Sequence, residues 1–223
     1  MQGDAPEIRL FSFRRAPSPL KARLALAELS LDYEVIEVNL FRGEQTEPRY
    51  AKLHPFQRVP VLQIGEFKLF ESNAILTHLG RTYKSHWPAT PEGEALALQW
   101  LFFEAAHLAR HCFILWWTDR VAPATGMKPA SAARIRSTIE ELMPALAVIE
   151  KRLGAASYIM GSHFTMVDCA YGATLSLLRG SRLDTSNFRA ISAYVDRMRR
   201  RPSWLAAEGD VLHDYSDVRS MRM

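Results

Sequence analysis

The stretch Arg58-Val59-Pro60-Val61-Leu62-Gln63-Ile64-Gly65-Glu66-Phe67-Lys68-Leu69-Phe70-Glu71-Ser72-Asn73-Ala74-Ile75 decides the fold, because it contains two strands, a tight turn and a helix start. The segment 61–64 is short and apolar, and the side chains of 67–70 alternate between two faces. Gly65-Glu66 places glycine first, as one common two-residue hairpin turn requires. Ser72 follows directly, in a position to begin a helix. We therefore predict a ββα unit that ends near Tyr83.

Two features of this stretch suggest a ligand site. Pro60 stands at the entrance of a strand, and a cis peptide bond there would leave the backbone of Val59 free to pair with a molecule outside the sheet. Ser72 offers a hydroxyl and free amides at a helix N-terminus, which suit a carboxylate. An ordinary sheet edge with a capping serine fits the same spacing equally well.

The order Val59-Pro60-Val61-Leu62, hairpin, Glu71-Ser72-Asn73-Ala74-Ile75 resembles the glutathione-binding core of the cytosolic glutathione transferases. The resemblance implies that the backbone of Val59, before a cis Pro60, pairs with the cysteinyl part of glutathione. It also implies that Glu71 and Ser72 hold the γ-glutamyl end, where a carboxylate meets the serine and an ammonium meets the glutamate.

Gln57 and Arg58 fall where members of this family place polar residues near glutathione. By this resemblance, either side chain is expected to hold the glycine carboxylate of the bound tripeptide. An arginine exposed to solvent is about equally consistent with the position of Arg58.

The element order predicts an α+β thioredoxin-like domain over residues 1–84, followed by an all-helical bundle over 91–223. Strands at 8–13 and 33–40 flank a helix that is capped by Ser18, and a short helix at 48–53 precedes the hairpin. After a proline-containing linker, the patterns at 91–120 and 131–153 are helical. Thr165-Met166-Val167-Asp168 reads as a capping box, which is also a hallmark of the helical domain of the transferase family.

The thiol of glutathione reacts as a thiolate, so a group must stabilise that charge. In the family this group is Tyr, Ser or Cys in the loop after the first strand. Here the loop 12–19 has neither Tyr nor Cys, and no cysteine precedes Cys112, which excludes a thioredoxin or glutaredoxin motif. The resemblance leaves Ser18 and Ser12 as catalytic candidates, with Arg15 as a charged helper. Ala16 departs from the serine that some members carry.

The acceptor substrate is expected to lie against the aromatic-rich helix that follows the linker. We predict a pocket wall formed by Phe103, His107, His111 and Tyr171. Glu104, His107 and His111 have a spacing that a metal site could use, but no confirming motif surrounds them, so no metal is predicted.

Composition bounds the function further. The 223 residues are 48% hydrophobic and carry a formal net charge of +4. The one dense basic run, Arg197, Arg199, Arg200 and Arg201, lies at the end of a helical pattern, where cations suit the helix dipole, so we interpret it as a solvated helix end in preference to a nucleic-acid patch. No apolar run is long enough for a membrane span, and Met1 to Arg9 lacks a signal-peptide core. Cys112 and Cys169 lie in apolar helical patterns, as buried free thiols of a cytoplasmic protein would.

These observations favour a glutathione transferase of serine type or unassigned class. It would conjugate glutathione, its co-substrate, to small hydrophobic electrophiles in cytoplasmic detoxification, as a homodimer by analogy with the family. Two alternatives stay open: a glutathione-dependent isomerase or lyase of the zeta kind, and a non-catalytic transferase-like protein with a binding or regulatory role.

Overall fold

The computed structural model describes residues 7–214. Its first half contains a four-stranded mixed sheet with helices. The strands are β1 (Ile8–Ser12), β2 (Glu34–Glu37), β3 (Val61–Ile64) and β4 (Phe67–Phe70). Their order in the sheet is β2-β1-β3-β4; β1 is parallel to β2 and antiparallel to β3, and β4 is antiparallel to β3. A parallel βαβ unit followed by a hairpin is the predicted thioredoxin-like arrangement, which is confirmed.

The hairpin and the helix after it form as predicted. Ile64 pairs with Phe67, so Gly65 and Glu66 make a two-residue turn, and Gly65 has a φ of +57°. The Val59–Pro60 peptide bond is cis, as expected. The helix that follows begins at Ser72 itself, so its N-cap residue is Glu71 rather than the serine.

The first helix begins earlier than its sequence predicted. Helix α1 (Pro17–Glu28) has Ala16 as its N-cap residue, without a side-chain cap. Pro17 occupies the first helical position, where its fixed φ and missing N–H are tolerated. The prediction that Ser18 caps this helix is therefore wrong. The other helices of this half are α2 (Pro48–Ala51) and α3 (Ser72–Tyr83).

Helices make up the described part of the chain from residue 91 onward. They are α4 (Pro91–Phe103), α5 (Arg110–Trp116), α6 (Ala122–Thr125), α7 (Ala132–Ala155), α8 (Met166–Ser176), α9 (Arg189–Arg199) and α10 (Pro202–Ala206). Two π-helical segments, Glu104–Ala109 and Trp117–Val121, join α4, α5 and α6 into one continuous helix over 91–125, here called the long helix. Between residues 7 and 214, no helix is both long and apolar enough to cross a membrane.

The predicted fold class, a thioredoxin-like domain followed by a helical bundle, is thus confirmed. The domain limits 1–84 and 91–223 stay predictions, and residues 1–6 and 215–223 of them lie outside the described part.

The two halves share one apolar core. Helix α1 packs against α8 and α10, and α3 also packs against α8, every residue of which is buried. Arg201 adds a bidentate ion pair to Glu28 at the end of α1, at 2.5 and 2.7 Å. Burial alone would raise the pKa of Glu28, but the hydrogen bonds from Arg201 and Ser203 bring it below its ordinary value.

The capping box at the start of α8 is formed. Asp168 Oδ2 accepts hydrogen bonds from the backbone N–H and the hydroxyl of Thr165, at 2.8 and 3.1 Å. Its Oδ1 accepts from the backbone of Ile159 and the hydroxyl of Tyr194. Burial raises the pKa of this carboxyl, against the hydrogen bonds that favour its charged form. The box therefore ties the helix start to a loop and to α9.

We expect Thr165→Ala to lower the free energy of unfolding by about 0.5–2 kcal/mol, the range for a lost N-cap residue. Urea denaturation followed by circular dichroism measures the change. Ser192→Ala, at an exposed position inside α9, is the control and should shift stability by less than about 0.5 kcal/mol. A Thr165→Ala midpoint equal to that of wild type would show that the box adds no stability.

Candidate functional site

A large cleft of about 1460 Å³ lies between the sheet domain and the long helix. One wall comes from the start of α1, the loop before β3 and the start of α3. The other comes from α4, the first π-helical segment, α5 and the end of α8. The predicted glutathione contacts Gln57, Arg58, Val59, Glu71 and Ser72 all line this cleft, while Pro60 is buried beside Val59.

The loop before β3 presents its backbone to the cleft. Val59 is 9% exposed, and within residues 7–214 its N–H and carbonyl make no backbone hydrogen bond. The neighbouring carbonyl of Arg58 accepts a 2.6 Å hydrogen bond from the Tyr50 hydroxyl, whose pKa is raised by burial. Tyr50 thus fixes the loop from behind and leaves Val59 available to a peptide-like ligand.

The start of α3 is an anion-binding surface. The first helical hydrogen bond is donated by the Ile75 N–H, so the amides of Ser72, Asn73 and Ala74 precede it without a helical acceptor. All three residues line the cleft. Glu71 has a φ of +69°, an uncommon conformation for a residue other than glycine. A carboxylate can bind these amides, and the exposed Glu71 side chain adds a negative charge beside them.

Ser18 lies in the same cleft at the start of α1. Because Ala16 is the N-cap residue, the Ser18 hydroxyl is not used as a cap, and none of the described residues bonds to it. Pro17 and Pro19 lack N–H groups, so among residues 17–19 Ser18 alone has both an N–H and a hydroxyl. A partial positive charge from the helix start favours an anion there.

The structure places the side chains of Ser12 and Arg15 outside the cleft. Ile8, Leu10 and Ser12 share the buried face of β1, since side chains alternate along a strand. The Ser12 hydroxyl accepts a 3.1 Å hydrogen bond from Arg23, and burial lowers the pKa of this arginine. Arg15 is 3% exposed and donates to the carbonyl of Val211. Neither side chain lines the cleft.

The residues predicted for the acceptor wall do not line this cleft, which meets another face of the long helix. The Tyr171 hydroxyl donates to the carbonyl of Trp100 inside the core, and burial raises its pKa. His111 bonds to Glu141 of α7 at 3.0 Å. Phe103 and His107 line a separate groove next to Val148. The cleft is instead lined by Leu98, Leu101, Phe102, Glu104, Ala105, Ala109, Arg110, Phe113, Ile114, Thr174 and Leu177.

A buried ion pair forms the floor of the cleft, and sequence reasoning missed it. Lys21 Nζ lies 2.8 and 2.9 Å from the two oxygens of Glu104, which is fully buried. Asn73 donates to Glu104 at 3.0 Å, and Thr174 donates to its other oxygen. The partners come from α1, α3, the long helix and α8. A lysine on an otherwise apolar face of α1 was the one sequence signal of this contact.

Glu104, His107 and His111 do not converge on a common point. Glu104 is directed to Lys21, while His111 bonds to Glu141. Within residues 7–214, no group of three or more potential metal ligands lies close together.

The fold joins a thioredoxin-like domain to a helical bundle, and the polar wall of the cleft between them suits an anionic, peptide-like ligand. Two family models match the chain: the N-terminal domain of glutathione S-transferase over residues 6–81, and its C-terminal domain over 129–216. Glutathione S-transferase F10 of Arabidopsis thaliana is 30% identical over 194 residues, which cover 84% of this chain and 90% of the relative. The chain belongs to the glutathione S-transferase family.

Solved structures agree with this assignment. The theta class glutathione S-transferase of Xanthomonas axonopodis pv. citri, solved with glutathione bound, is 27% identical, with a TM-score of 0.82 over 91% of this chain and 97% of that one. Glutathione transferase F2 of Populus trichocarpa shares the fold at 22% identity, with a TM-score of 0.82 over 90% of this chain and 97% of that one.

We expect the Lys21–Glu104 pair to be strongly coupled. Removing one partner in Glu104→Gln or Lys21→Met leaves the other without its counter-charge, at a cost of about 3–5 kcal/mol. Each single change carries that penalty. The double variant should therefore lose clearly less stability than the sum of the losses of the two single variants. Urea denaturation of the four proteins gives the coupling energy.

The exposed pair Arg49–Glu47, at 2.6 Å, is the matched control. Its double-mutant cycle should give less than about 1 kcal/mol. Strictly additive losses at Lys21 and Glu104 would contradict the coupling.

Proposed function

We propose that this protein is a glutathione transferase that joins the thiolate of glutathione to small hydrophobic electrophiles. The observation that carries the proposal is the arrangement of the cleft. Ser18, Val59 and the start of α3 line its polar wall, and the opposite wall, on the long helix, is largely apolar. A polar tripeptide and an apolar acceptor can therefore lie side by side, which is how binding lowers the barrier of a two-substrate reaction.

We infer the following placement of glutathione. Its γ-glutamyl carboxylate binds the Ser72 hydroxyl and the free amides of α3, and its ammonium group faces Glu71. Val59 pairs with the cysteinyl backbone. The glycine carboxylate meets Arg58, with Gln57 beside it, at the outer end of the same wall. Charged hydrogen bonds at both ends would fix the sulfur between them.

In this placement Ser18 activates the thiol. Lowering a thiol pKa from about 8.5 to about 6.5 takes roughly 2.7 kcal/mol of preferential thiolate stabilisation. A hydroxyl donor, its adjacent backbone N–H and the N-terminal end of α1 act on one sulfur. The sulfur then attacks an electrophilic carbon, and a C–S bond forms while a leaving group departs or a conjugated double bond is protonated.

Further parts of the proposal concern assembly and location. Exposed apolar side chains on both halves, including Phe56 at 69% and Phe102 at 71%, support a homodimer in which a second copy covers them. Sedimentation of wild type and Phe102→Glu tests this, since the variant should shift towards the monomer. Cys112 and Cys169 are free and buried, which supports a cytoplasmic location. A role in detoxification would follow from the proposed conjugation of hydrophobic electrophiles.

Calorimetry with glutathione, followed by turnover of 1-chloro-2,4-dinitrobenzene, tests the activity. Binding with turnover supports the transferase, and binding without turnover of any acceptor would favour the non-catalytic alternative. The isomerase alternative has no support among the relatives, whose names are those of glutathione S-transferases.

We expect Ser72→Ala to weaken glutathione binding by about 1–3 kcal/mol, the cost of losing a hydrogen bond to a charged group. The fold should be retained, because the Ser72 hydroxyl bonds to no described residue. Isothermal calorimetry measures the affinity, with Ser131→Ala, a helix cap outside the cleft, as the control. Equal affinities of wild type and Ser72→Ala would remove this serine from the site.

We expect Ser18→Ala to raise the pKa of bound glutathione by about one unit, since roughly 1.4 kcal/mol of thiolate stabilisation then disappears. The ultraviolet absorbance of the thiolate as a function of pH measures this pKa. Ser12→Ala should leave it unchanged, because Ser12 bonds to Arg23 outside the cleft. A pKa that moves with Ser12 and not with Ser18 would reverse the assignment.

A further inference from the structure

The acceptor side of the cleft is largely apolar, with one cation, Arg110, that makes no direct polar contact within the described chain. Around its mouth, Ala105, Ala109, Phe113 and Ile114 follow each other at helical spacing along the π-helical segment and α5. Arg110 lies on the same lining face, one turn before Phe113, and is exposed.

The guanidinium of Arg110 has no direct partner within the described chain. In residues 7–214 its guanidinium forms no hydrogen bond and no ion pair. Glu141 of α7, which lies within its electrostatic range, is hydrogen-bonded to His111 instead. The other cations of the cleft differ in this respect: Lys21 is paired with Glu104 and Arg81 with Glu94. Arg58 belongs to the glutathione end of the opposite wall.

The ring of Phe113, beside Arg110, packs against two tryptophan rings. Phe113 stacks on Trp117 with ring centroids 5.9 Å apart and an interplanar angle of 27°, and it also contacts Trp116 at 5.5 Å. Ala105 and Ala109 leave space in front of the helix, because their side chains are small. A flat aromatic face, open space and a free guanidinium suit a planar ligand that carries an anionic group.

We propose that Arg110 is a specificity-determining residue that selects aromatic electrophiles bearing a carboxylate or a similar anion. This inference rests on the proposed function and names the substrate class of the same cleft. The acceptor ring lies against Phe113, its anion binds Arg110, and its electrophilic carbon faces the thiolate near Ser18. With an aryl chloride, the sulfur forms the C–S bond and the electron pair of the C–Cl bond leaves with chloride.

The test compares two acceptors that differ in one charge: 4-chloro-3-nitrobenzoate and 4-chloro-3-nitrobenzamide. The measured quantity is the ratio of their kcat/KM values. The two acceptors differ in intrinsic reactivity, but this difference is the same for every variant and cancels when the ratios of the variants are compared. We expect Arg110→Gln to lower the carboxylate-to-carboxamide ratio about tenfold, and Arg110→Lys, which keeps the charge, to recover most of it. The wild-type ratio should also fall with added salt, because Arg110 is exposed.

Arg136→Gln is the matched control, an exposed arginine of α7 away from the cleft, and should leave the ratio unchanged. A ratio within twofold of wild type in Arg110→Gln would overturn the proposal.

If wild type turns over neither compound, turnover of 1-chloro-2,4-dinitrobenzene decides separately whether the proposed function fails, and binding then tests Arg110. Calorimetry compares S-(4-carboxy-2-nitrophenyl)glutathione with its carboxamide analogue. A wild-type preference for the carboxylate that Arg110→Gln abolishes supports the selection of anions, while equal preference in both proteins overturns it.

Discussion

The buried contact between Lys21 and Glu104 is the constraint on which the cleft depends. A carboxylate with no exposed surface is stable only when its charge and lone pairs are satisfied. Here Lys21, Asn73 and Thr174 satisfy it from three other helices. Because Asn73 follows Ser72 directly, the same contact orients the helix start that faces the proposed γ-glutamyl group. The polar floor therefore positions the glutathione side of the cleft without contacting the reacting atoms.

A second set of polar contacts, made by Arg23, lies outside the cleft and determines which serine hydroxyl is free to meet a ligand. Arg23 donates to Ser12, to the carbonyl of Arg14 and to that of Ala207, at 3.1, 2.9 and 3.0 Å. These bonds connect the loop after β1 to the segment after α10 and use the Ser12 hydroxyl. Two prolines, one on each side of Ser18, start α1 without a side-chain cap. The fold therefore leaves the Ser18 hydroxyl available for the role proposed for it.

The sequence predicted the features that depend on neighbouring residues. The hairpin turn at Gly65-Glu66, the helix start at Ser72 and the Thr165–Asp168 box each depend on a few adjacent side chains. The face of the long helix that meets the cleft was not predictable in this way. Phe103 and His107, which the aromatic spacing selected, share one face and line the groove next to Val148, because the packing of the long helix between its neighbours decides which face meets the cleft. The pairing of Lys21 with Glu104 joins residues far apart in the sequence, and only the tertiary packing determines it.

A crystal structure of the glutathione complex tests the central claim most directly, because the claim is that both domains build one site around one sulfur. The account predicts the sulfur within hydrogen-bonding distance of Ser18 Oγ, the γ-glutamyl carboxylate on Ser72 and the start of α3, and open space between the sulfur and Phe113. A tripeptide bound outside this cleft, or a sulfur directed away from Ser18, would contradict it.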